Sequence, residues 1–292
     1  MNCVRNSIVI FLKYVLPDKV IIRMMYRKKI GKKIYINNPK TFNEKLQWLK
    51  LYDRNPLYTT LVDKYAVRQY IKEKIGEEYL IPLIGGPWKS VDEIPFDTLP
   101  NQFVLKTTHD SGGVVICNNK KNFDVDAAKR KLYKSLKNNF YYNGREWPYK
   151  NVPPQIIAEK YMTDSDKDEL TDYKLMCFNG EHKCTFLCED RFSKEGLKVT
   201  FYDKEWNIMP FERHYPRNSI KKEKPTSYEK MVQLAENLSN VIPFVRVDFY
   251  EIQEKIYFGE LTFYPGSGFE KFNPPEWDRI LGDWLILPEK KK

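Results

Sequence analysis

The sequence predicts an α+β protein in which antiparallel β-hairpins alternate with α-helices. Three pairs of strand-like segments, each pair joined by a short turn, indicate the hairpins, and helical stretches precede and separate them. The clearest turn is Asn179-Gly180, because this dipeptide favours a two-residue hairpin connection. The chain has 292 residues and 42% hydrophobic content, which is enough for one large domain or two smaller ones.

The N-terminal part of the chain is predicted to be helical. Residues 1–40 are basic and helix-like, and Thr41 followed by Glu44 forms a capping box that starts the next helix. A further helix is predicted to follow Pro56 and to end before Gly76, with Asp63, Lys64 and Arg68 on its polar side.

Strands and turns dominate after Gly85-Gly86-Pro87. The predicted strands are 103–107, 114–117, 155–159, 173–178, 183–188, 197–202, 244–250 and 255–263, and the predicted helices among them are 126–137 and 227–238.

Charge and cysteine content narrow the class of protein. The net charge of +10 favours contact with a polyanion, but the chain carries no RNA-binding signature, so nucleic acid is not expected as a partner. The five cysteines are too few for a disulfide scaffold of this length. Cys184 and Cys188, with His182, lack the second ligand pair of a typical zinc site, so we predict reduced cysteines buried on strands.

The N-terminal segment has two interpretations. Residues 7–16 are apolar, but they are too short to span a bilayer and lack the features of a signal peptide. Residues 8–30 form either an amphipathic helix on the anionic inner face of a membrane or a helix packed on the protein body. The prediction is a cytoplasmic protein, with peripheral membrane contact left open.

The first stretch with chemical potential is a hairpin with a glycine-rich tip. Lys106 lies on its first strand, and His109, Ser111, Gly112 and Gly113 lie in the loop that follows. A strand lysine can place its ammonium over phosphate oxygens, and glycines let backbone N–H groups approach them. The loop is not a P-loop, and an ordinary flexible hairpin is the alternative.

The second stretch joins a buried strand to an acidic linker. It runs through Glu159, Lys160, Tyr161 and Met162, and acids continue up to Asp172. Backbone groups after a strand can bind an adenine edge, and a carboxylate can accept hydrogen bonds from ribose. Solvated acids in a loop are the alternative.

The third stretch carries the most information. Alternation along a strand places Arg246 and Asp248 on one face, and Glu260 and Thr262 share a face of the next strand. If the strands pair, the two carboxylates converge, and paired carboxylates beside phosphates suit Mg²⁺. An arginine beside them can bind a phosphoryl group with two parallel hydrogen bonds. Charged residues facing water are the alternative.

In this order, the three stretches resemble the ATP-grasp superfamily. From about Thr41 to Pro274 the chain is similar to the TupA-like ATP-grasp proteins, a group associated with bacterial surface-polysaccharide pathways. The segments that carry the resemblance are 41–48 (TFNEKLQW), 63–68 (DKYAVR) and 259–268 (GELTFYPGSG). The resemblance implies an ATP-grasp fold, with two α+β subdomains whose antiparallel sheets enclose ATP. We therefore expect a helical region over 1–80 and subdomains over 81–160 and 161–292.

The resemblance also implies residue roles. Lys106 and Lys174 would contact ATP phosphates, and Ser111, Gly112 and Gly113 would close over them. Glu159, Lys160, Tyr161 and Met162 would form the adenine side, and Asp172, Asp166 or Asp168 would bind ribose. Asp248, Glu260 and Thr262 would bind Mg²⁺, as one ion or two, and Arg246 would stabilise the transferred phosphoryl group.

The implied activity is ATP-dependent ligation of a carboxylate to an amine through an acyl phosphate. The substrates expected from the resemblance are a uronic-acid-containing glycan and an amino acid, and His109 is a candidate base for the amine. A nucleotide-sugar glycosyltransferase is the main alternative, with Asp124-Val125-Asp126 and Asp164-Ser165-Asp166 as D-x-D strings. Asp124 precedes a predicted helix, so N-capping explains the first string better. A non-catalytic nucleotide-binding protein is the third alternative.

Overall fold

The structure is a computed structural model that describes residues 15–163, 170–189 and 196–290. Three sequence-based expectations fall outside these ranges: the start of the basic N-terminal helix, the second D-x-D string, and the alternative ribose ligands Asp166 and Asp168.

Two N-terminal helices pack on the protein body. Helix α1 (Asp18–Ile30) buries Ile22 and Tyr26 in the main core, which favours the packed interpretation of this segment. Helix α2 (Phe42–Tyr52) has Thr41 as its N-cap. The predicted capping box is confirmed, because both of its reciprocal hydrogen bonds form. Within the described ranges, no helix combines the length and the apolarity needed to cross a membrane.

The single helix predicted after Pro56 is wrong. The chain forms two short helices, α3 (Leu57–Val62) and α4 (Val67–Lys74). They are separated at Asp63, whose Oδ1 accepts the N–H groups of Tyr65 at 2.8 Å and Ala66 at 3.3 Å. This local side-chain hydrogen bonding offers the backbone an alternative to a continuous helix.

A four-stranded antiparallel sheet follows. Its strands are β1 (Leu83–Trp88), β2 (Phe103–Thr107), β3 (Val114–Cys117) and β4 (Ile156–Lys160), in the order β1-β4-β2-β3. Strand β1 was not predicted. Helix α5 (Val125–Leu136) buries Leu132 against this sheet, and the short α6 (Tyr141–Gly144) follows. Asp124 accepts the N–H of Ala127 at 2.8 Å, which confirms that this aspartate caps a helix.

A five-stranded antiparallel sheet forms the second half of the chain. Its strands are β5 (Asp172–Phe178), β6 (Glu181–Glu189), β7 (Lys198–Tyr202), β9 (Phe244–Ile252) and β10 (Lys255–Thr262), in the order β10-β9-β5-β6-β7. The predicted turn is confirmed, since Asn179 and Gly180 have φ of 52° and 84°, as a type I′ turn requires. Helix α7 (Tyr228–Ser239) packs on the sheet.

The remaining elements were not predicted. Strands β8 (Glu212–Arg213) and β11 (Phe272–Asn273) pair with each other, and helix α8 (Glu276–Trp284) packs against α2.

The N-terminal helices and the five-stranded sheet share one hydrophobic core. The ring of Phe42 on α2 lies with its centroid 5.6 Å from that of Phe178 and 4.9 Å from that of Phe244. The four-stranded sheet and α5 have a separate, smaller core. The division of the chain at residues 80 and 160 stays a prediction. Cys117, Cys177 and Cys184 are buried on strands, whereas Cys188 on β6 is half-buried.

Candidate active site

A buried charge network lies on strands β5 and β9. The strands pair with Lys174 opposite Asp248, and Asp248 is 1% exposed. Its Oδ2 lies 2.5 Å from Lys174 Nζ, and its two oxygens accept from Arg246 Nε and NH2, each at 2.6 Å. Asp172 lies 2.5 Å from the same lysine Nζ. The predicted alternation along β9 brings Arg246 and Asp248 together, whereas the contacts of Lys174 and Asp172 with this pair were not predicted.

A β-bulge carries the second carboxylate to the same arginine. The pairing of β9 with β10 shifts between Phe258 and Leu261, so two residues of β10 lie opposite Asp248. Glu260 Oε1 then lies 3.0 Å from Arg246 NH2, and Thr262 Oγ1 donates to Glu260 Oε1 at 3.2 Å. The two predicted metal ligands meet at one guanidinium, and Thr262 lies beside them.

The network fixes the charge of its members. Burial alone would raise the pKa of Asp248, but Arg246 and Lys174 outweigh it and lower this pKa below the usual value for an aspartate. Burial would lower the pKa of Lys174, yet Asp172 and Asp248 raise it. The pKa of Asp172 is raised, chiefly by burial. Asp248 is therefore ionised and Lys174 protonated at neutral pH.

A second charge cluster lies on the four-stranded sheet. Lys106 on β2 and Glu159 on β4 are diagonal neighbours, and Lys106 Nζ lies 2.6 Å from Glu159 Oε2. Arg68 of α4 approaches Glu159 Oε1 at 3.4 Å and donates to the carbonyl of Ile81 at 3.0 Å. The ammonium of Lys106 is therefore held by Glu159, which is only 7% exposed.

Lys64 interacts electrostatically with members of both clusters, and the sequence did not single it out as a candidate site residue. Its N–H donates to the carbonyl of Thr108 at 3.0 Å, and its Nζ donates to the carbonyl of Asp110. Burial lowers the pKa of Lys64, and Glu260 and Lys106 are among the charges that act on it. The residue was assigned to the polar face of a helix, but the helix breaks at Asp63 and Lys64 contacts the loop after β2 instead. In the sequence, the one hint that Lys64 belongs to the site was the 63–68 segment of the family resemblance.

The glycine-rich loop has a fixed base and an open tip. At the base, Asp110 accepts from Thr107 Oγ1 at 2.5 Å and from Ser135 Oγ. A Cβ on Gly113 would lie 1.7 Å from Thr107 Oγ1, so only glycine fits there. Ser111 and Gly112 at the tip are exposed. This arrangement suits a loop whose tip closes over a ligand.

His109 lies at the buried side of the loop. It is 2% exposed, and its Nε2 lies 3.2 Å from the carbonyl oxygens of Ser135 and Asn138 at the C-terminal end of α5. Because both partners are acceptors, Nε2 carries a proton and donates to them, and this contact anchors the loop. The proposed role of His109 as a base stays a prediction.

The segment that we predicted to bind adenine continues from the end of β4. Lys160 is the last residue of the strand and is exposed, and Tyr161 and Met162 follow it and are half-buried. Asp172 lies at the start of β5, within the Lys174 network, so the structure brings it to the carboxylate cluster.

The turn after β10 has an unusual backbone and buried supports. Gly266, Ser267 and Gly268 have φ of 57°, 54° and 62°, so a serine lies in the left-handed region. Lys50 Nζ donates to the carbonyl oxygens of Gly144 and Ser267, both at 2.7 Å, although Lys50 is 0% exposed. Gln47 Nε2 donates to the carbonyls of Ser267 at 3.0 Å and Gly268 at 2.7 Å.

The donor chemistry at Glu260 fits a magnesium ion. No cluster of three or more His, Cys, Asp or Glu ligands occurs in the described ranges. The carboxylates of Asp248 and Glu260 supply oxygen, and the Glu260 side chain is 42% exposed, so it faces open space. Mg²⁺ commonly takes one or two protein carboxylates and completes its shell with phosphates and water.

Comparison with known proteins gives one family and several similar folds. A family model described as TupA-like ATPgrasp matches residues 44–286. The D-alanine–D-alanine ligase of Bacillus anthracis, solved with ATP, is similar over 78% of this chain at 15% identity with a TM-score of 0.44, and the chain spans 65% of that ligase.

Two further solved structures have a comparable sequence identity and TM-score to this chain. The D-alanine–D-alanine ligase of Helicobacter pylori is similar over 85% of this chain and 70% of its own, at 15% identity and a TM-score of 0.43. The N5-carboxyaminoimidazole synthase of Aspergillus clavatus, in complex with ADP, is similar over 79% of this chain and 53% of its own, at 12% identity and a TM-score of 0.42. No curated protein sequence matches the chain.

Proposed function

Because the chain belongs to the TupA-like ATP-grasp family, a family of the ATP-grasp ligases, we propose that it binds ATP between its four-stranded and five-stranded sheets and ligates a carboxylate to an amine. The observation that carries this proposal is the meeting of Asp248 and Glu260 at the Arg246 guanidinium. Lys64 interacts electrostatically with both Glu260 and Lys106, and Lys106 itself is paired with Glu159 on the four-stranded sheet. Cations and carboxylates in this arrangement suit a triphosphate with its metal ion.

The phosphates lie, in this proposal, between Lys106, Lys64 and Lys174. Each lysine is now paired with an acid or a carbonyl, so each is already oriented before ATP arrives. Preorganised cations cost little reorganisation when charge develops on the transferred group. The Ser111-Gly112-Gly113 loop would close over the phosphates, and Glu159 to Met162 would bind adenine.

Asp248 and Glu260 would hold the magnesium ion, with Thr262 as a further oxygen donor. When bound, the ion supplies charge neutralisation on the phosphate oxygens. Glu260 is the accessible member of the pair, and Asp248 is the buried one that fixes Arg246.

The chemistry proceeds in two steps. A substrate carboxylate oxygen attacks the γ-phosphorus, the bond to the β–γ bridging oxygen breaks, and an acyl phosphate and ADP form. Arg246, fixed at three points by Asp248 and Glu260, stabilises negative charge on the transferred phosphoryl group. An amine then attacks the acyl carbon, phosphate leaves, and the amine loses a proton.

The substrates are proposed at the level of class. An acidic glycan or its precursor would supply the carboxylate and an amino acid the amine, or the reverse. The net charge of +10 supports an anionic substrate. The glycosyltransferase alternative loses support, because Asp124 of its first D-x-D string is a helix cap.

Nucleotide binding tests the proposal directly. We expect calorimetry to detect ATP binding that depends on Mg²⁺ and no comparable binding of UDP-glucose. Glu260→Gln removes a metal ligand at a part-exposed position, so it should weaken Mg-ATP binding by at least about tenfold. Glu254→Gln, on the exposed turn between β9 and β10, is the matched control and should bind like wild type. Preferential binding of UDP-glucose by the wild type would contradict the ligase proposal.

A further inference from the structure

Arg213 is a buried arginine whose donors are not matched by acceptors. It lies on strand β8 and is 6% exposed. Its Nε lies 3.0 Å from Glu270 Oε2 without the alignment of a hydrogen bond, and within the described ranges neither Nε nor Nη1 has a hydrogen-bond acceptor. Buried polar groups are nearly always hydrogen-bonded, because an unpaired donor loses its interactions with water. The guanidinium of Arg213 therefore has donors available for a ligand.

One row of residues across the five-stranded sheet shows which face Arg213 covers. Asp248 pairs with Lys174, Lys174 with Phe186, and Phe186 with Phe201. Directly paired residues of neighbouring strands point to the same face of a sheet, so the two phenylalanine rings continue the row that begins at Asp248. The guanidinium carbon of Arg213 lies 4.7 Å from the centroid of Phe186 and 5.1 Å from that of Phe201. Arg213 therefore covers the face that carries the candidate active site.

Arg213 and Arg246 both contact the ring of Phe186. The guanidinium carbon of Arg246 lies 5.6 Å from the centroid of this ring. Burial lowers the pKa of Arg213, Glu270 raises it, and the positive charge of Arg246 lowers it. The two guanidiniums thus repel each other, and an anion that contacts both would offset this repulsion.

The two arginines differ in the donors that remain for a ligand. Arg246 donates from Nε and Nη2 to Asp248 and Glu260, which leaves its Nη1, whereas Arg213 retains both Nε and Nη1. In phosphoryl transfer the negative charge is spread over three oxygens of the transferred group. A second guanidinium on the same face supplies the further charge-assisted hydrogen bonds that these oxygens can accept.

Glu270 connects Arg213 to the strand that carries the proposed metal ligand. The side chain of Glu270 lies directly against Gly266, which leaves no room for a Cβ at that position. Gly266 belongs to the turn that follows β10, and β10 carries Glu260. The ion pair between Glu270 and Arg213 therefore orients the guanidinium relative to the site before a nucleotide binds.

From these observations we propose that Arg213 binds the γ-phosphoryl group of ATP together with Arg246. The inference rests on the proposed ligase function and adds a binding residue to it. In the first step, the bond from phosphorus to the β–γ bridging oxygen breaks and the bond to the substrate carboxylate oxygen forms. Arg213 contacts the phosphoryl oxygens during this transfer and neither gains nor loses a proton. ADP lacks the γ-phosphoryl group and so makes no contact with Arg213.

Calorimetry on the full chain in the presence of Mg²⁺ tests this assignment with two nucleotides. AMP-PNP carries a γ-phosphoryl group that is resistant to hydrolysis, and ADP carries none. The variant is Arg213→Gln, and the matched control is Arg217→Gln, because Arg217 is an exposed arginine of the same segment. Urea denaturation of every sample identifies a variant that fails to fold. If Arg213→Gln fails to fold, Arg213→Lys replaces it, since lysine keeps the charge but lacks the planar fork of donors.

We expect Arg213→Gln to bind AMP-PNP at least about tenfold more weakly than wild type, because charge-assisted hydrogen bonds to the γ-phosphoryl group are lost. Its affinity for ADP should stay close to that of wild type, and Arg213→Lys should show a smaller loss that is also confined to AMP-PNP. Arg217→Gln should bind both nucleotides like wild type.

The comparison of the two nucleotides separates binding from a structural role. An arginine that only supports the fold would weaken both nucleotides alike, and an arginine that binds only the substrate carboxylate would leave AMP-PNP binding unchanged. Either result overturns the inference while the ligase function stands, because the wild type still binds both nucleotides. A wild type that binds neither nucleotide would contradict the ligase function itself.

Discussion

Asp248 shows how a single buried carboxylate organises the site. Its oxygens accept from Lys174 and Arg246, so two cations are fixed in place before any ligand binds. A buried charge that loses one partner is costly, because the remaining charge stays desolvated. Asp248 therefore contributes both to stability and to the proposed chemistry. Removing one of its partners, Lys174 or Arg246, at a time separates these contributions.

Replacement of Lys174 should destabilise the fold strongly. Lys174→Met keeps the length of the side chain but leaves Asp172 and Asp248 with one cation fewer, and we expect the free energy of unfolding to fall by about 3 kcal/mol. Urea denaturation measures this. Lys183→Met is the control, since Lys183 pairs with half-exposed Glu181 and such surface pairs contribute about 0–1 kcal/mol. Equal losses in the two variants would show that the buried network has no special role in stability.

His182 should make stability depend on pH. It is 1% exposed, its Nε2 lies 2.9 Å from Thr185 Oγ1, and burial lowers its pKa from 6.5 to about 4. Between these values the unfolded chain binds a proton that the folded protein does not, so stability falls as pH drops from about 6.5 to about 4. The loss due to this residue amounts to about 3 kcal/mol at most.

Urea denaturation at pH 7 and pH 5 detects the contribution of His182. His182→Gln retains a hydrogen-bonding side chain without a titrating ring, so its stability should change less between the two pH values than that of wild type. His214→Gln is the control, because His214 is exposed. If the free energy of unfolding depends on pH identically in wild type and in His182→Gln, His182 is not the source of the pH dependence.

At the scale of elements, the start of helix α2 depends on its N-cap residue, Thr41. The Thr41 side chain accepts the N–H of Glu44 at 3.2 Å, and Glu44 in turn accepts the N–H of Thr41 at 3.2 Å. Glu44 also accepts from the N–H groups of Tyr35 and Lys40, so the capping box positions the chain that enters the helix. Most of the helix is buried, and its start therefore fixes where Gln47 and Lys50 meet the turn after β10.

Loss of the cap should lower stability measurably. We expect Thr41→Ala to reduce the free energy of unfolding by about 1 kcal/mol, because the N–H of Glu44 loses its side-chain acceptor. Thr60→Ala, at an exposed position inside α3, should be neutral within about 0.5 kcal/mol. Thermal denaturation of both variants gives the comparison, and an unchanged midpoint for Thr41→Ala would exclude a stabilising cap.

Local chemistry made some elements predictable, and tertiary contacts made others invisible in the sequence. The cap at Thr41 and the turn at Asn179 depend on residues within three positions of each other, so the sequence was sufficient. The two-residue strands β8 and β11 exist only because they pair with each other across about sixty residues. The bulge before Leu261 could not be predicted either, although it places Glu260.

The same distinction applies to the candidate site. Arg246, Asp248 and Glu260 were predicted because alternation along a strand is a short-range pattern. Lys64 and Arg68 were visible in a motif, but their role depends on how α4 packs beside β4. Lys50 gave no signal at all, since a lysine on an amphipathic helix normally faces water, whereas here it is fully buried.

At the scale of the whole molecule, distant parts of the chain meet in one layer. Helix α2 contacts α8, with Asn43 N 2.9 Å from Asp278 Oδ1 and Lys45 Nζ 2.7 Å from the carbonyls of Gly282 and Leu285. A Cβ on Gly282 would lie 2.4 Å from the carbonyl of Lys40, so the two segments touch at backbone distance.

This contact has a consequence for the newborn chain on the ribosome. Asn43 and Asp278 are 235 positions apart, so at about 5–20 residues per second the helix emerges roughly 10 to 50 s before its partner is translated. During that interval the apolar side of α2, with Leu46 and Leu49, has neither the five-stranded sheet nor α8 to cover it. Until translation has passed α8, this apolar surface of the nascent chain therefore stays uncovered, which is the condition that favours aggregation.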